Sequence, residues 1–200
     1  MGDDHANADR PGLLALIRED HAAHGGDWTR PGFRALAAYR FGVWRMGVKP
    51  KLLRAPFSVV YRWMYRRCRN VYGIELPYTA TVGRGVVFEH QHGIVIHGRC
   101  TIGDGCVIRQ GVTLGNRSLD RPHDAPTLGR NVNVGAGAKV LGAVTLGDGA
   151  AIGANAVVLT DVPAGAVAVG IPATVKTPAP APPARPPSGE PRTTFEGVAT

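Results

Sequence analysis

Aliphatic residues recur at every sixth position through Leu128, Val134, Val140, Leu146, Ile152 and Val158. The same register runs earlier through Ile96, Ile102, Ile108 and Leu114. A further run, Leu76, Val82, Phe88 and Ile94, is offset from it by two residues. A period of six excludes a helix, because 3.6 residues per turn would walk the aliphatics around the cylinder. It also excludes a flat sheet, where alternation lasts a few residues and stops. A solenoid satisfies it. Each hexad is a short strand plus a turn, three hexads close one triangular coil, and each aliphatic points inward onto its equivalent one coil away. Small or β-branched residues four positions later, such as Val132, Ala138, Ala150 and Ala156, fit the crowded corners. The chain has 27 Gly in 200 residues yet is 44% apolar, which excludes a disordered chain. The expected fold class is mainly β: a parallel β-helix of hexapeptide repeats.

The repeat breaks once. Leu114 and Leu128 stand 14 residues apart, eight more than one hexad. A coil cannot absorb the surplus, so residues 115–127 are expected to leave it as an external loop, the kind of segment that carries function on a rigid scaffold. Ahead of the repeats, apolar spacing predicts helices over about Pro31 to Met46 and Leu52 to Arg69, with a shorter one over Leu13 to Asp20. The expected organisation is a disordered start (1–11), a helical region (12–70), the β-helix (71–175) and a disordered Pro-rich tail (176–200).

The N-terminus is polar and acidic, without the basic and apolar segments of a secretory signal. No apolar run approaches the roughly 20 residues of a membrane span. Three cysteines, Cys68, Cys100 and Cys106, form no C-x-x-C pair. These features point to a reducing, cytoplasmic setting, and Cys100 and Cys106 fall at the small corner positions of their hexads, where they are read as packing. The formal charge is +8, and no Asp or Glu occurs from Trp28 to Ile74. Such a stretch favours anionic partners. CoA phosphates and peripheral contact with an anionic membrane are open. Nucleic acid has no motif beyond charge and is not expected.

One stretch of the repeat departs from the rule: F-E-H-Q-H-G, from Phe88 to Gly93. A corner gains nothing structural from Glu89, His90 and His92 in place of small residues. An imidazole beside a carboxylate is what a general base needs, since its reference pKa of about 6.5 lets it accept a proton near neutral pH. Glu75 lies fifteen residues before His90, close to one coil, where it could hold the imidazole in one tautomer.

The segments G-I-E-L-P, V-V-F-E-H-Q-H-G-I-V-I, Q-G-V-T-L-G, D-R-P-H, V-G-A-G-A-K-V-L-G and G-I-P-A, together with the helical P-G-F-R-A-L-A-A-Y-R, resemble the serine O-acetyltransferases, particularly their shorter forms. The resemblance spans about Asp20 to Val175. It implies a left-handed β-helix, a homotrimer or dimer of trimers with active sites between neighbours, and acetyl-CoA as co-substrate with no metal. It also implies His90 as general base with Glu75 as its partner. Glu89 follows as the acidic residue before the base, Arg121 and His123 as holders of the amino-acid carboxylate, and Asp20 as a substrate contact. For CoA the choices are Ala136 and Ala154, where the backbone can be approached, and Lys176 for a phosphate. The chain ends V-A-T rather than in the terminal Ile by which family members dock cysteine synthase, so that complex is not expected.

The implied reaction moves acetyl from acetyl-CoA to the hydroxyl of L-serine in a ternary complex. Three other readings stay open on the residues alone. The acceptor could be a sugar or another small hydroxyl or amine. A zinc enzyme resembling the γ-class carbonic anhydrases would draw on His90, His92, His97 and His123. A non-catalytic module would bind a membrane surface through the basic helices.

Overall fold

The computed structural model describes residues 11–177. The expected N-terminal disorder over residues 1–11 falls almost wholly outside that range, as does nearly all of the expected Pro-rich tail.

Three helices come first. They are α1 (Leu13–Ala23), α2 (Pro31–Trp44) and α3 (Lys51–Arg67). Pro31 sits at the first position of α2, where no hydrogen bond is lost. A 3-10 turn, Arg45–Gly47, follows α2, and a single π-helical turn, Cys68–Tyr72, follows α3. Pro56 lies inside α3. The carbonyl it leaves without a partner belongs to Leu52, on an exposed turn where water can take the place of the missing donor.

Fifteen short strands then wind through three faces. The first face holds β1 (Ile74–Glu75), β4 (Ile94–Ile96), β7 (Thr113–Gly115), β10 (Lys139–Leu141) and β13 (Val157–Val158). The second holds β2 (Thr81–Val82), β5 (Thr101–Ile102), β8 (Thr127–Leu128) and β11 (Thr145–Leu146). The third holds β3 (Val87–Phe88), β6 (Val107–Ile108), β9 (Asn133–Val134), β12 (Ala151–Ile152), β14 (Val167–Val169) and β15 (Thr174–Lys176). The chain visits the faces in the order first, second, third. All pairings are parallel except β14 with β15. The architecture is a left-handed parallel β-helix.

The aliphatic column fills the interior: Ile94, Ile108, Leu114, Val134, Val140 and Leu146 have no exposed surface. Each such side chain stabilises the coil by roughly 1.5–3 kcal/mol. One end of the prism is closed by α2. Leu36 and Tyr39 of α2 join the core, and a Cβ added to Gly32 would lie 2.0 Å from the Phe88 carbonyl oxygen, so only Gly lets α2 approach β3.

Two strand offsets locate the insertions. Glu75 pairs with Val95, twenty residues on, whereas Val95 pairs with Thr113, eighteen on. Thr113 pairs with Lys139, twenty-six on. The first surplus is two residues and the second is eight. The solenoid also runs one residue past the expected boundary: Lys176 belongs to β15, hydrogen-bonded along β14.

Candidate active site

The two-residue surplus can be placed to the residue. Along the corner from the third face to the first, backbone bonds run from Gly111 N–H to His92 O (2.9 Å), from Gly137 N–H to Gln110 O (2.8 Å) and from Asn155 N–H to Ala136 O (2.8 Å). These bonds put His92, Gln110, Ala136 and Ala154 in one column. On the strand side, Glu89 N–H bonds to Ile108 O and the Glu89 carboxylate pairs with Arg109 at 2.8 Å, so Glu89 matches Arg109. Arg109 and Gln110 are adjacent, but Glu89 and His92 are separated by His90 and Gln91. Those two residues are the insertion, and His90 lies exposed on it.

The bulge is held in an unusual backbone. His90 and His92 have φ of 66° and 71°, and among the described residues the other non-glycine residues at positive φ are Asn131 and Asn155. A left-handed residue other than Gly costs about 1–2 kcal/mol. His92 is fixed against Gly73, where an added Cβ would lie 2.8 Å from the His92 Cα. A hydrogen bond from His92 N–H to Tyr72 O (2.8 Å) locks the base of the bulge to the π-helical turn.

Glu75 stands on the outward row of the first face, which the register continues through Val95, Thr113, Lys139 and Val157. Its Oε1 accepts a hydrogen bond from the Tyr65 hydroxyl of α3 at 3.1 Å. Burial and the neighbouring Glu75 charge push the Tyr65 phenol up to about 12, so it stays a donor. Among the described residues no hydrogen bond joins Glu75 to His90.

The eight-residue surplus leaves at the next corner, between β7 and β8. It forms a loop over residues 116–126, and a cavity of about 590 Å³ lies between this loop and the coil. Arg121 lines that cavity with Arg117, Asp120 and Asp124. Its guanidinium reaches Asp124 only at 3.9 Å and remains 77% exposed. His123 is exposed and does not line the cavity. Among the described residues, the histidines gather into no cluster of three or more metal-ligating groups.

Two expected site residues lie elsewhere. Asp20 is fully buried, and its carboxylate takes Arg40 Nε at 2.8 Å and Nη2 at 3.2 Å. Arg40 also donates to the Val82 and Gly83 carbonyls, so this pair fastens α1 and α2 to the coil. Ala136 and Ala154 do share the corner column of His92, and Ala154 is about 14 Å along it at one strand spacing per coil. Lys176 is beside Val167, whereas the corner carrying Ala154 adjoins the other end of β14.

Two residues of the site escaped the sequence reading. Tyr65 is one, because nothing marks which tyrosine of α3 meets the first coil. Gln110 is the other: its Oε1 is buried without a hydrogen-bond partner, one coil along from His92. A polar residue at a corner that alanines hold in the two later coils was the available signal.

Comparison with known proteins agrees with the coil. The bacterial transferase hexapeptide model (six repeats) matches residues 125–160. The serine acetyltransferase of Helicobacter pylori strain 26695 is 41% identical over 162 residues, covering 79% of this chain and 90% of that protein. Soybean serine acetyltransferase complexed with serine superposes with a TM-score of 0.70 at 30% identity, covering 86% of this chain and 72% of the other. A serine acetyltransferase in complex with CoA gives 0.68 at 28% identity, covering 86% and 73%.

Proposed function

The chain belongs to the serine acetyltransferase family, and we propose that it moves acetyl from acetyl-CoA to the hydroxyl of L-serine with His90 as the general base. The observation that carries the role of His90 is the insertion of His90 and Gln91 into an otherwise regular corner. The coil closes without them, as it does at Arg109 and Gln110, and the left-handed backbone that His90 adopts is unfavourable. Their presence is explained by the exposed imidazole they deliver.

In the reaction, the serine hydroxyl gives its proton to an imidazole nitrogen of His90 as its oxygen attacks the thioester carbonyl. The tetrahedral intermediate collapses, the C–S bond breaks, and the departing CoA sulfur takes the proton back from the imidazolium. The products are O-acetylserine and CoA. Glu75, steadied by Tyr65, supplies negative charge on the face next to the bulge, where the imidazolium develops. The pantetheine arm follows the column that His92 and Gln110 begin, along Ala136 and Ala154, whose small side chains admit it.

The working form is a homotrimer. His90 lies at one edge of the first face and Arg121 at the other, on the order of 15 Å apart for the five or so residues between corners. One serine molecule cannot bridge that gap. Three-fold packing of prisms sets one chain's loop against another chain's His90 corner, so Arg121 of one subunit holds the carboxylate while His90 of the next takes the proton.

Thiol release from acetyl-CoA in the presence of L-serine tests the chemistry. His90→Ala is expected to lose about 100- to 10,000-fold in kcat. Mixing and reassembling inactive His90→Ala and Arg121→Ala chains tests the shared site, and random trimers regain about a quarter of wild-type sites. No recovery on mixing sinks the trimeric site. Unchanged turnover in His90→Ala sinks the base.

A further inference from the structure

Among the described residues, the outer face of α3 has no partner. Leu52, Val59 and Trp63 are 83%, 56% and 64% exposed, and Pro56 is exposed between them. Their spacing puts them on one stripe of the helix, opposite the buried Tyr61 that packs on Gly42 of α2. The stripe is edged by exposed Lys51, Arg62 and Arg66 on one side and Arg67 on the other. Together they make an amphipathic helix turned inside out: its apolar side faces solvent, and its cations flank it.

We infer that this face of α3 docks on an anionic lipid surface. The charge decides among occupants. No acidic residue occurs from Trp28 to Ile74, so a second copy meeting this face across a two-fold axis would oppose arginines to arginines. Nucleic acid would neutralise the cations but leave Leu52 and Val59 uncovered. An anionic bilayer answers both features: its headgroups take the guanidinium groups, and the acyl boundary takes the apolar stripe to a depth of about 5–10 Å. Trp63, apolar with one N–H, suits that boundary.

The test uses the full-length protein and sedimentation with two vesicles, phosphatidylcholine alone and phosphatidylcholine with about 30 mol% phosphatidylglycerol. The protein is expected to pellet with the second and not the first, and to be released by about 0.5 M salt. Replacing Arg62, Arg66 and Arg67 together by Gln lowers the affinity by about a hundredfold. Trp63→Ser and Leu52→Ser lower it while leaving the melting temperature and acetyl transfer to serine unchanged. Failure to bind anionic vesicles overturns the inference, as does equal binding by the Trp63→Ser variant. So does a concentration-dependent doubling of assembly mass abolished by Trp63→Glu, which identifies a second copy. Duplex DNA bound as tightly as the vesicles, and insensitive to Leu52→Ser, would reduce the face to bare charge.

Discussion

Replacing Asp20 by Asn separates a structural carboxylate from a substrate-binding one. The Asp20 and Arg40 side chains are 1% and 6% exposed and joined by two hydrogen bonds, at 2.8 and 3.2 Å. Asparagine keeps the shape and one acceptor but removes the charge that balances a buried guanidinium. Breaking a buried pair in this way costs about 3–5 kcal/mol. The Val82 and Gly83 carbonyls still solvate Arg40 at 2.8 and 2.6 Å, which points to the lower end, about 3 kcal/mol. For a domain of this size each kcal/mol is worth about 2–4 °C, so the melting temperature falls by about 6–12 °C. Circular dichroism melts at fixed protein concentration measure the loss, and initial rates at a temperature where the variant is folded measure the serine KM. Removing both charges, as in Asp20→Leu with Arg40→Met, recovers much of the stability because no lone charge remains. A variant that melts like the wild type yet binds serine tenfold more weakly would refute the reasoning and put Asp20 in the acceptor pocket.

Burial holds the His24 imidazole below its ordinary 6.5, and it is 1% exposed between the Asp20 and Phe88 backbones. The unfolded chain therefore takes up a proton that the native state refuses. Stability is full above about pH 6.5 and declines as the pH falls through and below it, and thermal melts of His24→Asn show a flatter pH dependence over that window. Burial pushes Cys100 up to about 12 and Cys68 up to about 11, and it raises Cys106 as well. A thiol reagent at about pH 8 should label none of the three in the native protein and all three after denaturation; fast labelling of any one contradicts the packing. Tyr65→Phe removes the donor that steadies Glu75 and is expected to lower kcat by about 3- to 10-fold with little change in the acetyl-CoA KM. The same change made on top of Glu75→Gln should add nothing.

The coil was legible because its signal is repeated: a period of six admits one architecture, and the strands fall on the aliphatics that define it. The eight-residue loop was legible for the same reason, as a gap in a regular series. The bulge was half legible. The offset between the Leu76 and Ile96 runs announces two extra residues, but only the pairing of Glu89 with Arg109 and of His92 with Gln110 assigns them to His90 and Gln91. Asp20 shows the opposite error. It continues the stripe of Leu13, Leu16 and Ile17 on α1, as Arg40 continues Phe33, Leu36 and Ala37 on α2. Opposite charges that each extend an apolar stripe belong to a buried pair, and that pattern outweighs a loose motif match. Lys176 is reached by an antiparallel reversal, which no repeat foretells, and it stands at the end of β14 away from the Ala154 corner.

A solenoid fixes its register at every coil, so surplus residues can leave only at corners. The two insertions into the regular 18-residue spacing do so at the two corners that border the first face, one carrying His90 and the other Arg121. Between them runs the outward row of Glu75, Val95, Thr113, Lys139 and Val157, one residue per coil. Lys139 turns its ammonium back to the Gly111 carbonyl at the His90 corner. The row is therefore polar at Glu75, Thr113 and Lys139 and apolar at Val95 and Val157. The hydrophobic interior makes no distinction among the three faces. What singles out the first is the pair of insertions, one at each of its edges.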